Sequence, residues 1–321
     1  MEKTPRRIGV VVVENHARAK RAMRSRPVKG RAVCIGVFDG VHRGHQRIIR
    51  ETLRVARRLR LEPMALTFDP HPSAVVCPRK RVKLIYGLGH RLLHLAQAGI
   101  QLRAVLVFDR KMARMSALGF IREVLIRKLK AHTVLIGEGF RFGRGGEGDA
   151  ALLRSQLPGV RVVGKLKSGA CAISSTRIRG LISAGRLAEA GRLCGRPVGI
   201  YGQVVRGHGR GRKLGFPTIN IRPVAETLPP AGIYAGRFID PEAGPLNAVI
   251  HLGPRPTFGE KIPSFEIHVI HRAKMSVPRY VEVQLIKRLR EVRRYSTSEA
   301  LIVQMNRDVR SALSALRHRK K

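Results

Sequence analysis

Between Ala32 and about Lys167 the chain alternates short apolar runs rich in β-formers with segments of helical periodicity. Parallel strands cannot be joined by tight turns and need a crossover, usually a helix, so this alternation commits the segment to an α/β sheet covered on both faces. The predicted strands are "AVCIGVF", "PMALTF", "AVLVF", "TVLIG" and "VRVVG". From His45 to Arg60, Ile48, Ile49, Leu53, Ala56 and Leu59 recur at helical spacing with arginines opposite. A second helix is predicted over Leu92–Ala98, stopping at Gly99, and a third over Ala117–Lys130 behind a Ser116 cap. The layout is Rossmann-like.

After Ser183 the period changes. A short helix in "GRLAEAGRLCG" ends at Gly195 and Pro197, and period-two runs with many Gly and Pro follow. "GIYAGRF", "NAVIHLG", "FEIHVIH" and "YVEVQLI" read as antiparallel strands with one face on a core, which predicts a small β-barrel. A C-terminal helix is expected across it, opened by a Ser296/Glu299 capping box and striped by Leu301, Met305, Val309 and Leu313 or Leu316. With 321 residues the chain has length for two domains, placed at 1–185 and 186–321, and no internal repeat is visible.

With 44% hydrophobic and 26% charged residues the chain reads as globular. Lys+Arg 63 less Asp+Glu 21 leaves +42, a field that attracts phosphate-bearing partners without naming one. The cations are spread over every predicted helix, and only the tail "RHRKK" resembles a basic arm. Aromatic residues are 5% of the chain and do not interleave with the basic runs, so nucleic acid is expected only as non-specific, charge-driven binding. Cys34, Cys77, Cys171 and Cys194 lie far apart without a CxxC pair, which argues against zinc and a disulfide framework and predicts buried thiols in a reducing, cytoplasmic setting. The longest apolar run, "IGVVVV", is interrupted by Glu14 and Asn15, so no membrane span is expected and the protein should be soluble. Glu2, Glu14 and the valines favour a structured start over a transit peptide.

Chemistry concentrates at "IGVFDGVHRGHQ", Ile35 to Gln46, where the first strand hands over to the first long helix. Gly40 and Gly44 permit a tight turn and close backbone approach, and a helix N-terminus favours anions. Ligands of open parallel sheets collect at the carboxyl ends of the strands. His42 and His45 therefore sit where phosphates would, although the pair alone equally fits two satisfied histidines at a helix start. "TFDPHP" puts Asp69 and His71 at the same sheet edge, and "ISSTRIR" offers hydroxyls at a helix start followed by Arg177 and Arg179. A Ser-Ser-Thr run taken singly is usually only a cap.

In this order the motifs "GVFDGVHRGHQ", "TFDPHP", "FRFG…GD" and "ISSTRIR" resemble the HxGH nucleotidyltransferases, specifically the adenylyltransferase half of the bacterial bifunctional riboflavin kinase/FMN adenylyltransferase family. The resemblance implies that Gly36, Phe38, Asp39, Gly40, Gly44, Ser174, Ser175, Thr176, Arg177 and Arg179 bind ATP. It implies that Asp69 and His71 bind flavin, and that His42 and His45 stabilise charge on the α-phosphorus while the FMN phosphate attacks. Such a reaction works by positioning and electrostatics, for which an imidazole is a small, directional donor able to carry positive charge.

"GHGRGRKLGFPTINI", Gly207 to Ile221, starts as a glycine-basic loop and ends in a strand; it lacks the GK[ST] of a Walker A loop, and by itself fits a hairpin with an exposed basic tip. It resembles the riboflavin kinase loop and its "PTxN" signature, with "LGPRPTFG" and "FEIHVI" following as in that family. The resemblance implies ATP contacts from Gly207, Gly211 and Lys213, Mg²⁺ held by Thr218 and Asn220, flavin contact by Arg290, and Glu266 as the base for the ribityl 5′-hydroxyl. Strand alternation could instead aim Glu266 at solvent. Departures from the family pattern are Gly139 for an Asn or Asp, Gly146 for an Arg, and a basic "HRAKMSVPRYVEV" carrying Val277 and Pro278. The resemblance thus implies an enzyme making FMN and then FAD from riboflavin, ATP and Mg²⁺. The alternatives are an adenylyltransferase with an impaired kinase half and a non-catalytic basic nucleic-acid-binding relative.

Overall fold

Alternate residues of the first parallel strand enter two different cores. In β2 (Arg31–Ile35), Val33 and Ile35 pack with Ile121, Val124 and Leu125, whereas Ala32 and Cys34 pack with Ile48, Ile49 and Val55. A strand buried on both faces reads as a continuous apolar run, which is why "AVCI" shows no alternation. The computed structural model describes residues 10–14, 29–207, 209–224, 227–255, 260–272 and 276–317. By its contacts the chain forms two compact units, one reaching Ser174 but without residues 83–87, the other comprising 83–87 and the chain from Ser175.

The first unit is a six-stranded sheet of order β1-β4-β3-β2-β5-β6, from β1 (Val10–Glu14), β2, β3 (Glu62–Asp69), β4 (Leu102–Val107), β5 (Ala131–Gly137) and β6 (Gly159–Val163). The pairs from β2 to β6 are parallel, and β1 adds an antiparallel edge on β4. Glu14 therefore ends a strand instead of merely interrupting an apolar run. The longer helices are α1 (Arg43–Leu59), α2 (Leu88–Gln97), α3 (117–128) and α4 (Ala150–Gln156). α3 opens at Ala117–Gly119, with Ser116 Oγ accepting from the Gly119 N–H at 3.1 Å, and continues as a π-helical stretch over Phe120–Lys128. α2 starts earlier than its apolar pattern, because its first turn carries the buried polar residues His90 and Arg91. A two-stranded hairpin, β7 (Lys167–Ser168) with β8 (Cys171–Ala172), follows.

The second unit starts with α5 (Ser175–Ser183) and α6 (Leu187–Cys194), the latter closed by Gly195 in the left-handed region. Its closed barrel runs β10-β13-β12-β11-β14-β9, from β9 (Val198–Val205), β10 (Ile219–Pro223), β11 (Gly232–Asp240), β12 (Gly244–Arg255), β13 (Glu260–Val269) and β14 (Tyr280–Arg290). Helix α7 (Ser298–Arg317) lies across it, burying Ala312 and Leu316 against Ala235, Ile270 and Ile286. Its cap is Thr297, whose Oγ1 accepts from the Ala300 N–H at 3.2 Å, so the cap lies one residue after the predicted Ser296, and with alanine three residues on it forms no reciprocal box. The tail after Arg317 lies outside the described residues.

The cysteine expectation holds for two of the four. Cys34 and Cys194 are buried, and burial pushes the Cys34 thiol up to about 12, which keeps it protonated and inert. Cys77 and Cys171 are exposed, because one follows a short surface helix and the other sits in the β7–β8 hairpin, outside both cores. No helix among the described residues is long and apolar enough to cross a membrane.

Candidate active sites

In the first unit the chain leaves β2 through a strained turn. Phe38 (φ 54°) and Val41 (φ 36°) hold left-handed backbone, which is costly for a β-branched residue and persists only where the surroundings over-determine it. Here both are buried, with Gly40 (φ 77°) and Asp39 buried between them. The turn delivers His42 as the N-cap of α1, where its Nδ1 accepts from the His45 N–H at 3.3 Å. A ring nitrogen that accepts carries no proton, so the His42 proton sits on Nε2, and that nitrogen is a donor. The sequence makes this ring a donor able to carry positive charge; while Nδ1 caps α1, Nε2 is the nitrogen that donates.

The His42 and His45 rings stack at 3.7 Å between centroids, 17° apart, and Phe38 meets His45 edge-on at 5.3 Å. A side chain at Gly44 would come within 3.0 Å of the His42 ring, so the small residue between the histidines is what allows their rings to stack.

Sequence reasoning missed Arg91. Its side chain is fully buried on α2, and Nη1 donates to Val37 O (2.8 Å), Thr67 Oγ1 (3.2 Å) and Phe68 O (3.2 Å). Nη2 reaches Phe68 O (3.3 Å) and Asp69 Oδ1 (3.4 Å). One guanidinium thus ties together the carboxyl ends of β2 and β3, the two strand ends that carry the histidine turn and "TFDPHP". Burial pulls its pKa below the ordinary arginine range, against the opposing pull of the Asp69 and Asp39 carboxylates. An arginine one residue ahead of the predicted Leu92–Ala98 helix carries no signal of such a role. Arg91→Leu would strip the guanidinium from the Phe68 carbonyl, while Val37 O keeps the Thr67 hydroxyl at 3.1 Å, and the expected loss is about 1–3 kcal/mol of unfolding free energy, read as a lower midpoint in chemical denaturation.

Asp69 closes β3 and is half-exposed, and His71 caps the short helix Pro72–Val76, its Nδ1 accepting from the Ser73 N–H (3.0 Å) and Oγ–H (2.7 Å). Gly36 follows β2, with Phe38 ring atoms 3.3 Å from where its side chain would start. Ser174 ends the first unit; Ser175, Thr176, Arg177 and Arg179 begin α5 in the second, where Arg179 donates to Thr176 Oγ1 at 2.9 Å. Gly139 (φ 78°) and Gly146 (φ 75°) both occupy left-handed backbone, the conformation glycine adopts without strain.

In the second unit one cavity gathers Gly211, Thr218, Asn220, Glu266 and Arg290, five of the residues the sequence singled out. Gly207 adjoins it, and a side chain there would run into the Asn220 amide. The Lys213 side chain lies outside the described residues. Val277 and Pro278, half-buried, lead into β14. Glu266 does not face solvent: its Oε2 accepts from Thr218 Oγ1 at 3.2 Å and its Oε1 from Ser264 Oγ at 3.2 Å. Arg290 is held in a bidentate pair with Asp308 (2.8 and 2.7 Å), to which Gln304 also donates at 2.9 Å, and it lies over the Tyr295 ring at 5.8 Å. Burial lowers the Arg290 pKa, but the Asp308 hydrogen bonds and charge outweigh it and raise the group overall. Asp308 is buried on α7 beside the apolar stripe, so only the packing of the helix on the barrel reveals it.

A protein-family model described as FAD synthetase matches residues 25–177, and one described as riboflavin kinase matches residues 194–316. The chain is 33% identical to a bifunctional riboflavin kinase/FMN adenylyltransferase of Escherichia coli (strain K12), across 88% of this chain and 91% of the relative. It is 32% identical to the protein of the same description from Bacillus subtilis (strain 168), across 88% and 91%. A crystal structure described as a macrolide-efflux protein from Streptococcus pneumoniae superposes with TM-score 0.74 at 27% identity, covering 88% of this chain and 93% of that one.

Proposed function

Because the chain belongs to the bifunctional riboflavin kinase/FMN adenylyltransferase family, we propose that it phosphorylates riboflavin to FMN in its barrel and adenylylates FMN to FAD in its α/β unit, with ATP as donor in both steps. The observation that carries this reading furthest is the single cavity in which Thr218, Asn220, Glu266 and Arg290 converge. We place the functional boundary at 185/186, since "ISSTRIR" closes the first segment in sequence although α5 packs with α6. A reducing cytoplasmic setting, and nucleic acid bound only through non-specific charge, belong to the same reading.

In the kinase half, Glu266 takes the proton of the ribityl 5′-hydroxyl and Arg290 contacts the flavin. Gly207, Gly211 and Lys213 receive ATP phosphates. The hydroxyl oxygen of Thr218 and the amide oxygen of Asn220, beside a carboxylate, form the hard oxygen set that suits Mg²⁺, and Thr218 keeps lone pairs available while its proton is given to Glu266. When bound there, Mg²⁺ neutralises phosphate charge. In the adenylyltransferase half, the Nε2–H of His42 and the ring of His45 hold ATP phosphates at the N-terminus of α1. Gly36, Phe38, Asp39, Gly40 and Gly44 shape that turn, Ser174, Ser175, Thr176, Arg177 and Arg179 complete the ATP contacts, and Asp69 and His71 meet the flavin.

The test is incubation of the purified chain with riboflavin, ATP and Mg²⁺, with FMN and FAD resolved by chromatography. Both products are expected. FAD formed only from supplied FMN would leave adenylyltransfer alone, and no flavin product together with steeply salt-dependent RNA binding would replace the enzyme reading with a binding one. In Gly207→Val the new side chain displaces the Asn220 amide, so riboflavin phosphorylation should fall by at least about tenfold, since small misplacements of positioning groups cost this much or more. FAD formation from supplied FMN should hold.

A further inference from the structure

We infer that Ser264 and His251 form a positioning pair that fixes the carboxylate of Glu266 for riboflavin phosphorylation, an inference that rests on Glu266 being the base. Ser264 and Glu266 stand two apart on β13 and so share one face of the strand. The register puts His251 of β12 opposite Glu266 on one side and Asn220 of β10 opposite it on the other. Glu266 is therefore flanked by the proposed metal-binding asparagine and by a histidine that the proposed reaction does not use.

The hydrogen bonds give that histidine a definite state. Its Nε2 lies 3.1 Å from Pro254 O, and a carbonyl can only accept, so Nε2 carries a proton and, in the neutral ring, Nδ1 presents a lone pair. Nδ1 lies 3.2 Å from Ser264 Oγ and 3.7 Å from Glu266 Oε1. Ser264 Oγ in turn lies 3.2 Å from Oε1 and 3.3 Å from Gly253 O.

One hydroxyl proton faces Nδ1, Oε1 and Gly253 O, so it is shared among them, and beside the neutral ring the hydroxyl stands between the ring nitrogen and the carboxylate. Without that proton, Nδ1 and Oε1 would face each other as two lone-pair donors and repel. The ring, anchored to Pro254, also blocks the carboxylate from swinging toward β12. With Thr218 holding Oε2 and Ser264 holding Oε1, both oxygens are pinned, and the lone pairs left for a substrate hydroxyl point in a fixed direction. Preorganisation of this kind acts on turnover and leaves ground-state binding nearly untouched.

The experiment measures steady-state riboflavin phosphorylation by the full chain carrying Ser264→Ala, Ser264→Thr, His251→Phe, Glu266→Gln, or Ser264→Ala with Glu266→Gln. Loss of a hydrogen bond to a charged group predicts that Ser264→Ala lowers kcat by about 10- to 100-fold, with KM for riboflavin and ATP within about twofold of the parent. Ser264→Thr, which keeps the hydroxyl, should recover most of the rate, and His251→Phe, which keeps the ring shape but not its nitrogens, should fall in kcat alone. The double variant should be no slower than Glu266→Gln, because Ser264 acts through that carboxylate. Parental kcat in Ser264→Ala, a change confined to KM, a threonine that fails to rescue, or additive loss in the double variant would each overturn the pair. A slow Glu266→Gln beside a fast Ser264→Ala sinks the pair alone, whereas a Glu266→Gln at parental turnover removes the base and the pair with it.

Discussion

Glu266→Gln is expected to lower riboflavin phosphorylation by about 10²- to 10⁴-fold, the span associated with a positioned general base. The substitution is nearly isosteric, and its amide can still meet the hydroxyls of Thr218 and Ser264, since each hydroxyl both donates and accepts. The cavity should therefore persist while the proton acceptor is lost. Initial rates of FMN formation, with FAD formation from supplied FMN as the internal reference, measure the effect. Equal loss of both activities would point to a damaged fold and away from a missing base.

His42→Ala is expected to lower FAD formation from FMN by about 10²- to 10³-fold, as for removal of one preorganised donor to developing charge. The substitution does two things at once, because His42 is both the Nε2–H donor and the N-cap of α1. Loss of the cap alone costs about 0.5–2 kcal/mol of stability. His42→Asn separates the two, since asparagine is a good cap but too short to place a donor where Nε2 stands. Thermal unfolding of His42→Asn should return toward the parent while its adenylyltransfer stays at the alanine level. Recovery of activity along with stability would show that the ring matters only as a cap.

The contrast between Glu266 and Arg91 shows what a sequence can carry. Glu266 was legible because a local motif surrounded it, yet alternation left its direction open, and only its ladder position between β10 and β12 turned it from solvent into the cavity. Arg91 left no mark, since a buried arginine and an exposed one look alike until the ends of β2 and β3 close around it. His251 and Asp308 were invisible for the same reason, since their partners lie on other strands, and Ser264, although two residues from Glu266 on β13, took on a role only once His251 of β12 lay beside it.

Determined by the sequence alone were the α/β-then-barrel order, most of the longer strand and helix segments, and the turn that sets two histidines at a helix start, because periodicity, turn residues and caps are local and act within a few residues. The tertiary structure decided which atoms meet. Which His42 nitrogen carries the proton, which hydroxyls hold each oxygen of Glu266, which thiols are buried, and which guanidinium joins two strand ends all follow from packing between segments distant in the chain. There, burial makes most polar groups find a partner, and the fold, more than the neighbouring residues, supplies it.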